Sequence, residues 1–148
     1  MDKINTIAVG LLLIMFLLML GSVRGDSAII DELAHIPAGL GYLRGDYRLN
    51  PEHPPLIKTI AAVSGWIFAK PNFPTDTKAW QKEVNGQWEQ GAIFLYESGN
   101  DADRIIFWMR LPLLLLTVLF GWIMFRWIRG RFGSRAALIA LTFFAFSP

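Results

Sequence analysis

Two short segments concentrate the side chains able to move a proton or hold an anion. The first is Asp31-Glu32-Leu33-Ala34-His35. Asp31 and His35 stand four residues apart, so a helix puts them on one face. A carboxylate there can serve as a general base, with His35 orienting it or touching substrate. The same residues also suit a plain solvated helix start, where the dipole favours acids, and the cluster alone leaves both readings open. The second segment is Asn50-Pro51-Glu52-His53-Pro54-Pro55-Leu56-Ile57-Lys58. Its prolines restrict the backbone, holding Glu52 and His53 at low entropy cost. Acid, imidazole and ammonium placed this way suit a phosphate group. The alternative is a rigid elbow in which Lys58 merely reaches toward water. Arg110 is a third candidate, a cation inside an apolar run and followed by Leu111-Pro112. Intramembrane charges are functional candidates by default, although Arg110 is near enough to its helix start to snorkel outward.

Other chemistries fit poorly. D-E-L-A-H brushes against the H-E-x-x-H zinc pattern, but that pattern needs two histidines on one helical face. Here Asp31 takes the first position and the only other histidine is His53. No metal site is expected, although a divalent cofactor stays open. The absence of cysteine excludes disulfides, thiolate metal sites and a cysteine nucleophile. No glycine-rich phosphate cradle is present in the sequence.

The elements that must position these residues are membrane helices. Residues 4–23 carry no charge, and 105–128 carry only Arg110 and Arg126. At about 1.5 Å per residue either run matches the roughly 30 Å hydrocarbon core. A third apolar run, 136–148, is too short to cross and reads as a truncated span. The expected architecture is therefore an all-α integral membrane protein with two complete transmembrane helices and part of a third. An outer loop over 24–104 carries interfacial helices. Within it, Ser27 is expected to cap a helix through Ile29, Ile30, Leu33, Ile36 and Leu40, with Pro37 unsettling its second half. Leu56–Phe68 reads as a helix on the membrane, and Lys78–Glu97 as one mixed helix bearing interfacial aromatics. Asn100 is expected to cap the second span.

Arg126, Arg129, Arg131 and Arg135 crowd the turn between the second and third runs. The positive-inside rule makes that turn cytoplasmic, the N-terminus cytoplasmic, and 24–104 extracytoplasmic at the cell membrane. The outer segment holds eight Lys or Arg against eleven Asp or Glu, so nucleic acid is not an expected partner. A cleavable signal peptide is the competing reading of the first run, but its apolar stretch exceeds the usual ~7–15 residues.

Taken in order, the chain reads: membrane helix, D-E-x-x-H, G-D-Y-R-L, N-P-E-H-P-P-L-x-K, then a span opening with R-L-P. This order resembles the start of GT-C superfamily glycosyltransferases, specifically protein O-mannosyltransferases and related aminoarabinose and bacterial transferases. The resemblance implies inverting transfer of a sugar from a polyprenyl-phosphate donor, in membrane lipid, to an acceptor hydroxyl or amine. It would make Asp31 the catalytic acid of the first outer loop, with Glu32 beside it. His53, Lys58 and Arg110 would attend the donor phosphate, supported by His35, Asn50 and Glu52. It covers only an N-terminal part of such an enzyme, so this chain alone is expected to be inactive. The alternative is a non-enzymatic membrane protein whose outer loop is a binding platform.

The topology is directly testable, since the protein has no native cysteine. In intact cells a membrane-impermeant thiol reagent should label Asn85→Cys and spare Gly130→Cys. The reverse pattern would refute the assigned orientation.

Overall fold

A computed structural model describes residues 2–81 and 85–147. Among these residues all regular structure is helical: α1 Lys3–Val23, α2 Ile30–Tyr42, α3 Pro55–Phe68, α4 Lys78–Gln81, α5 Gln87–Ala92 and α6 Ala102–Phe146. A π-helical stretch, Ile93–Glu97, follows α5 directly. The chain forms two compact units, one of residues 1–22 and 114–148, the other of residues 23–113.

In the first unit, α1 and α6 are each long and apolar enough to cross a membrane. α6 is two helices joined at Gly133, whose φ of 84° and ψ of 172° are non-helical and belong to a region open essentially to glycine. Phe120 and Phe144 would stand about 36 Å apart on a straight helix. Their rings are 5.7 Å apart, so the chain folds back at the break. Ala137 and Leu141 thereby pack with Phe125 and with Ala8, Leu12 and Met15 of α1. The turn expected among Arg126, Arg129, Arg131 and Arg135 is this break, confined to Gly133. The arginines themselves lie in helix, because arginine is a good helix former and one glycine suffices for the bend. Arg129 is paired with Asp2 at 2.8 Å and bonds Asn5 Oδ1 at 2.7 Å.

The second unit is organised around α2, which packs on α3 and α5. Ile36 and Leu40 of α2 share a core with Ala61 and Ala62 of α3, with Phe94 and Leu95, and with Ile105, Ile106 and Met109 of α6. Pro37 does not end α2. It deprives the Leu33 carbonyl of its helical donor, and Gly91 of α5 closes against that same carbonyl. A Cβ at Gly91 would overlap the Leu33 backbone.

Three further expectations are corrected. Ser27 does not cap α2: the Glu32 carboxylate accepts the Ile29 N–H at 3.0 Å, while the Ser27 carbonyl goes to Arg110. A glutamate reaching back over one turn satisfies the same orphan donor. Asn100 does not cap α6 either. Asp101 accepts the Arg104 N–H at 3.0 Å, and Asn100 bonds the Asn72 backbone and the Phe94 carbonyl. Finally, the single helix over 78–97 is divided into α4, α5 and the π-helical stretch, with Asn85-Gly86 as the turn before α5. Residues 82–84 of that expectation lie outside the described residues.

Gly91→Ala should destabilise the second unit by about 1–3 kcal/mol through overpacking. Gly10→Ala, where a Cβ meets open space, should be neutral or slightly stabilising. Thermal unfolding of both variants in detergent measures the contrast.

Candidate functional site

The two chemistry-bearing segments meet in the second unit. Helical rise carries His35 along α2, and the proline-bounded loop delivers His53 to it. Their rings form an edge-to-face pair with centroids 5.2 Å apart. Glu32, His35, Ile57, Lys58 and Arg110 line one pocket of about 90 Å³. Asn50 and Glu52 stand behind His53, and every candidate residue except Asp31 has a defined partner in this neighbourhood.

Lys58 is the organiser. Pro55 opens α3 at its first turn, where its missing N–H costs nothing, and Lys58 follows on the face turned to α2. Its side chain is buried, with the residue 6% exposed. The ammonium donates to Tyr42 Oη at 2.8 Å, Asn50 O at 2.8 Å, Asn50 Oδ1 at 2.7 Å and His53 O at 3.0 Å. Four oxygens thus surround three N–H groups, leaving no donor for a ligand. Burial lowers the proton affinity of Lys58, and the nearby Glu52 charge opposes that shift.

Asn50 has a φ of 51°, a left-handed conformation that asparagine tolerates better than most residues. Its Nδ2 donates to Glu52 Oε1 at 2.9 Å and lies 3.2 Å from His53 Nδ1. Glu52 also accepts from Gln87 Nε2 at 3.0 Å. Its own backbone N–H, then Gln87 and Asn50, hold its carboxyl below the usual range.

Glu32 and Arg110 form the second anchor. Nε and Nη2 of Arg110 donate to the two Glu32 oxygens at 2.7 and 2.6 Å, a bidentate pair spanning 78 residues of sequence. Arg110 also donates to the carbonyls of Asp26 and Ser27 at 3.1 and 3.0 Å. Burial raises the Glu32 proton affinity, but the Arg110 hydrogen bonds and the Ile29 N–H outweigh it, so the carboxyl titrates below its ordinary value. His35 is pushed the other way in charge. Burial, then the nearby Lys58 charge and the neighbouring His53 imidazole, lower its proton affinity, with Asp31 and Glu52 partly opposing. Asp31 itself is exposed, with no ion pair among the described residues.

Sequence reasoning missed Tyr42 and Gln87. Tyr42 Oη lies 2.9 Å from the Leu49 and Asn50 carbonyls. A signal was present: Tyr42 follows His35 by seven residues, two turns along the same side of α2, and a buried tyrosine hydroxyl needs a partner. Gln87 carries no such signal. No protein-family model matches the chain, and no curated protein or solved structure matches it.

The lowered affinities of His35 and Glu32 fix the direction of pH dependence. Each favours its deprotonated form on folding, so its stabilisation is complete above its ordinary value, 6.5 for His35 and 4.5 for Glu32. Each is lost as pH falls through the lower folded value. Thermal stability in detergent should therefore decline from about pH 6.5 downward and fall again in the carboxylate range. Glu32→Gln should flatten the lower step and cost about 2 kcal/mol at neutral pH by removing the charge partner of Arg110 and one of its two carboxylate bonds.

Proposed function

We propose that this chain forms an N-terminal part of a membrane glycosyltransferase that moves a sugar from a polyprenyl-phosphate donor to an acceptor hydroxyl or amine, with inversion. The observation that carries the reading is the convergence of D-E-x-x-H and N-P-E-H-P-P-L-x-K at one rim, where the His35 and His53 rings are 5.2 Å apart. Asp31, one turn before His35 on α2, is an exposed carboxylate of these segments without an ion pair among the described residues. In this reading it takes the proton of the acceptor as that group attacks the anomeric carbon, and the polyprenyl phosphate departs with the bonding electrons. Glu32 is committed to Arg110, so it holds α2 in place and leaves the proton transfer to Asp31. His53 faces the donor phosphate, while Lys58 and Asn50 hold the loop that carries it.

The membrane setting belongs to the same reading. α1 and α6 supply two complete spans and the second limb of α6 a partial one. Residues 24–104 lie outside, and the N-terminus and the arginine cluster lie inside. α3 has 14 residues, about 21 Å of helix and too short to span. It nonetheless exposes Leu56, Val63, Trp66, Ile67 and Phe68, which suits a helix resting in the interface. A pocket of about 90 Å³ is well below the roughly 300–1,000 Å³ of ordinary ligand sites. The donor therefore needs walls supplied by further segments of the enzyme.

Asp31→Asn in the full-length enzyme tests the assignment. It keeps shape but removes the proton acceptor, and turnover should fall by about 10²–10⁴ with donor affinity little changed. Full activity in Asp31→Asn would sink the catalytic role and favour the binding-platform reading.

A further inference from the structure

Asn50 sits between a group that can only donate and a group that can only accept. Its carboxamide faces the Lys58 ammonium at 2.7 Å on one side and Glu52 Oε1 at 2.9 Å on the other. An ammonium has no acceptor and an ionised carboxylate no donor. The amide can therefore take one orientation only, Oδ1 toward Lys58 and Nδ2 toward Glu52. The first Nδ2 hydrogen goes to Glu52, and the second faces His53 Nδ1 at 3.2 Å. A hydrogen on Nδ1 would then confront another donor. A lone pair on Nδ1 accepts.

From this chain of donors we infer that Asn50 is a positioning residue that locks the neutral His53 ring in its Nε2–H tautomer. His53 is exposed, and Nε2 makes no hydrogen bond among the described residues. The lock therefore presents a single N–H to whatever binds at the rim. Such a group donates to an anionic oxygen and cannot remove a proton through Nε2. Resting on the glycosyl-transfer reading above, that oxygen belongs to the phosphate of the lipid-linked donor. The backbone supports the device as well, because His53 O and Asn50 O both accept from the same ammonium. The loop cannot swing His53 away from Asn50 without breaking the Lys58 shell.

The test is nitrogen-15 NMR of the histidine-labelled chain in detergent, at about pH 8.5, above the ordinary imidazole range. His53 signals are assigned by their loss in His53→Asn. Wild type should show Nε2 protonated and Nδ1 bare. Asn50→Asp, made in a Glu52→Gln background so that no second carboxylate faces it, is nearly isosteric and tolerates the same left-handed backbone, yet it turns the donor facing Nδ1 into an acceptor. It should shift the tautomer ratio toward Nδ1–H by about tenfold, the scale of one net hydrogen bond. An unchanged ratio in a folded Asn50→Asp overturns the lock. A wild-type spectrum with Nδ1 protonated overturns it whether or not the variant folds. Binding of polyprenyl phosphate to the full-length enzyme is measured in parallel. A tautomer that shifts while binding holds would support the lock and remove the phosphate as its target.

Discussion

The second unit depends on how a buried ammonium is satisfied. Lys58 has lost its water, and an unpaired ammonium in such a place would cost several kcal/mol. Among the described residues no carboxylate pairs with it directly. Its shell is a phenol oxygen from α2, two backbone carbonyls and one amide oxygen from the 50–53 loop. Each of those groups is thereby given a fixed place. Tyr42 accepts from the ammonium, which frees its one hydrogen for the Leu49 or Asn50 carbonyl and ties the loop to α2 a second time. The left-handed turn at Asn50, the neighbouring prolines and the close approach of Gly39 to the Lys58 backbone all serve this one constraint.

A second division of labour follows from helix geometry alone. Asp31 and Glu32 are adjacent, so their side chains leave α2 about 100° apart. Glu32 points to Arg110 and also caps the helix through the Ile29 N–H. Asp31 is exposed and forms no ion pair among the described residues. Two like-charged neighbours therefore acquire opposite characters, one an anchor with its lone pairs occupied, the other a carboxylate open to what approaches. The arginine that makes this distinction comes from α6, which is why the pair D-E read in isolation gives no ranking of its members.

Legibility in the sequence tracks the range of the interaction. The helical spacing of Leu33, Ile36 and Leu40, the helix over 55–68 and the two long apolar runs are local patterns, and each has its counterpart in the fold. Caps were read less well, because Glu32 and Asp101 take N-terminal donors while the Ser27 carbonyl and the Asn100 side chain are engaged by distant residues, and only tertiary contacts decide. The candidate residues were named as types in two segments, but their pairing was hidden. Nothing local joins Glu32 to a guanidinium 78 residues away. In the sequence Lys58 reads as a cation for a phosphate group, with snorkelling as the alternative. Its inward direction is set by α2 packing on α3, a fact no window of sequence contains.

The cations near the rim share one property that bears on the proposed chemistry. Lys58 has no spare hydrogen, and Arg110 gives all but one of its five to Glu32 and two carbonyls. Neither is a loose charge waiting for an anion. A phosphate arriving here would meet their field, already offset by Glu32 and by oriented carbonyls. Its contacts would instead come from preset N–H groups. In the proposed reaction such a site would recognise by geometry, because fixed dipoles act without reorganising when charge develops on the departing oxygen. Asp31 is exposed and, among the described residues, forms no ion pair, which in the proposed reaction would suit a group that attracts a proton from the acceptor.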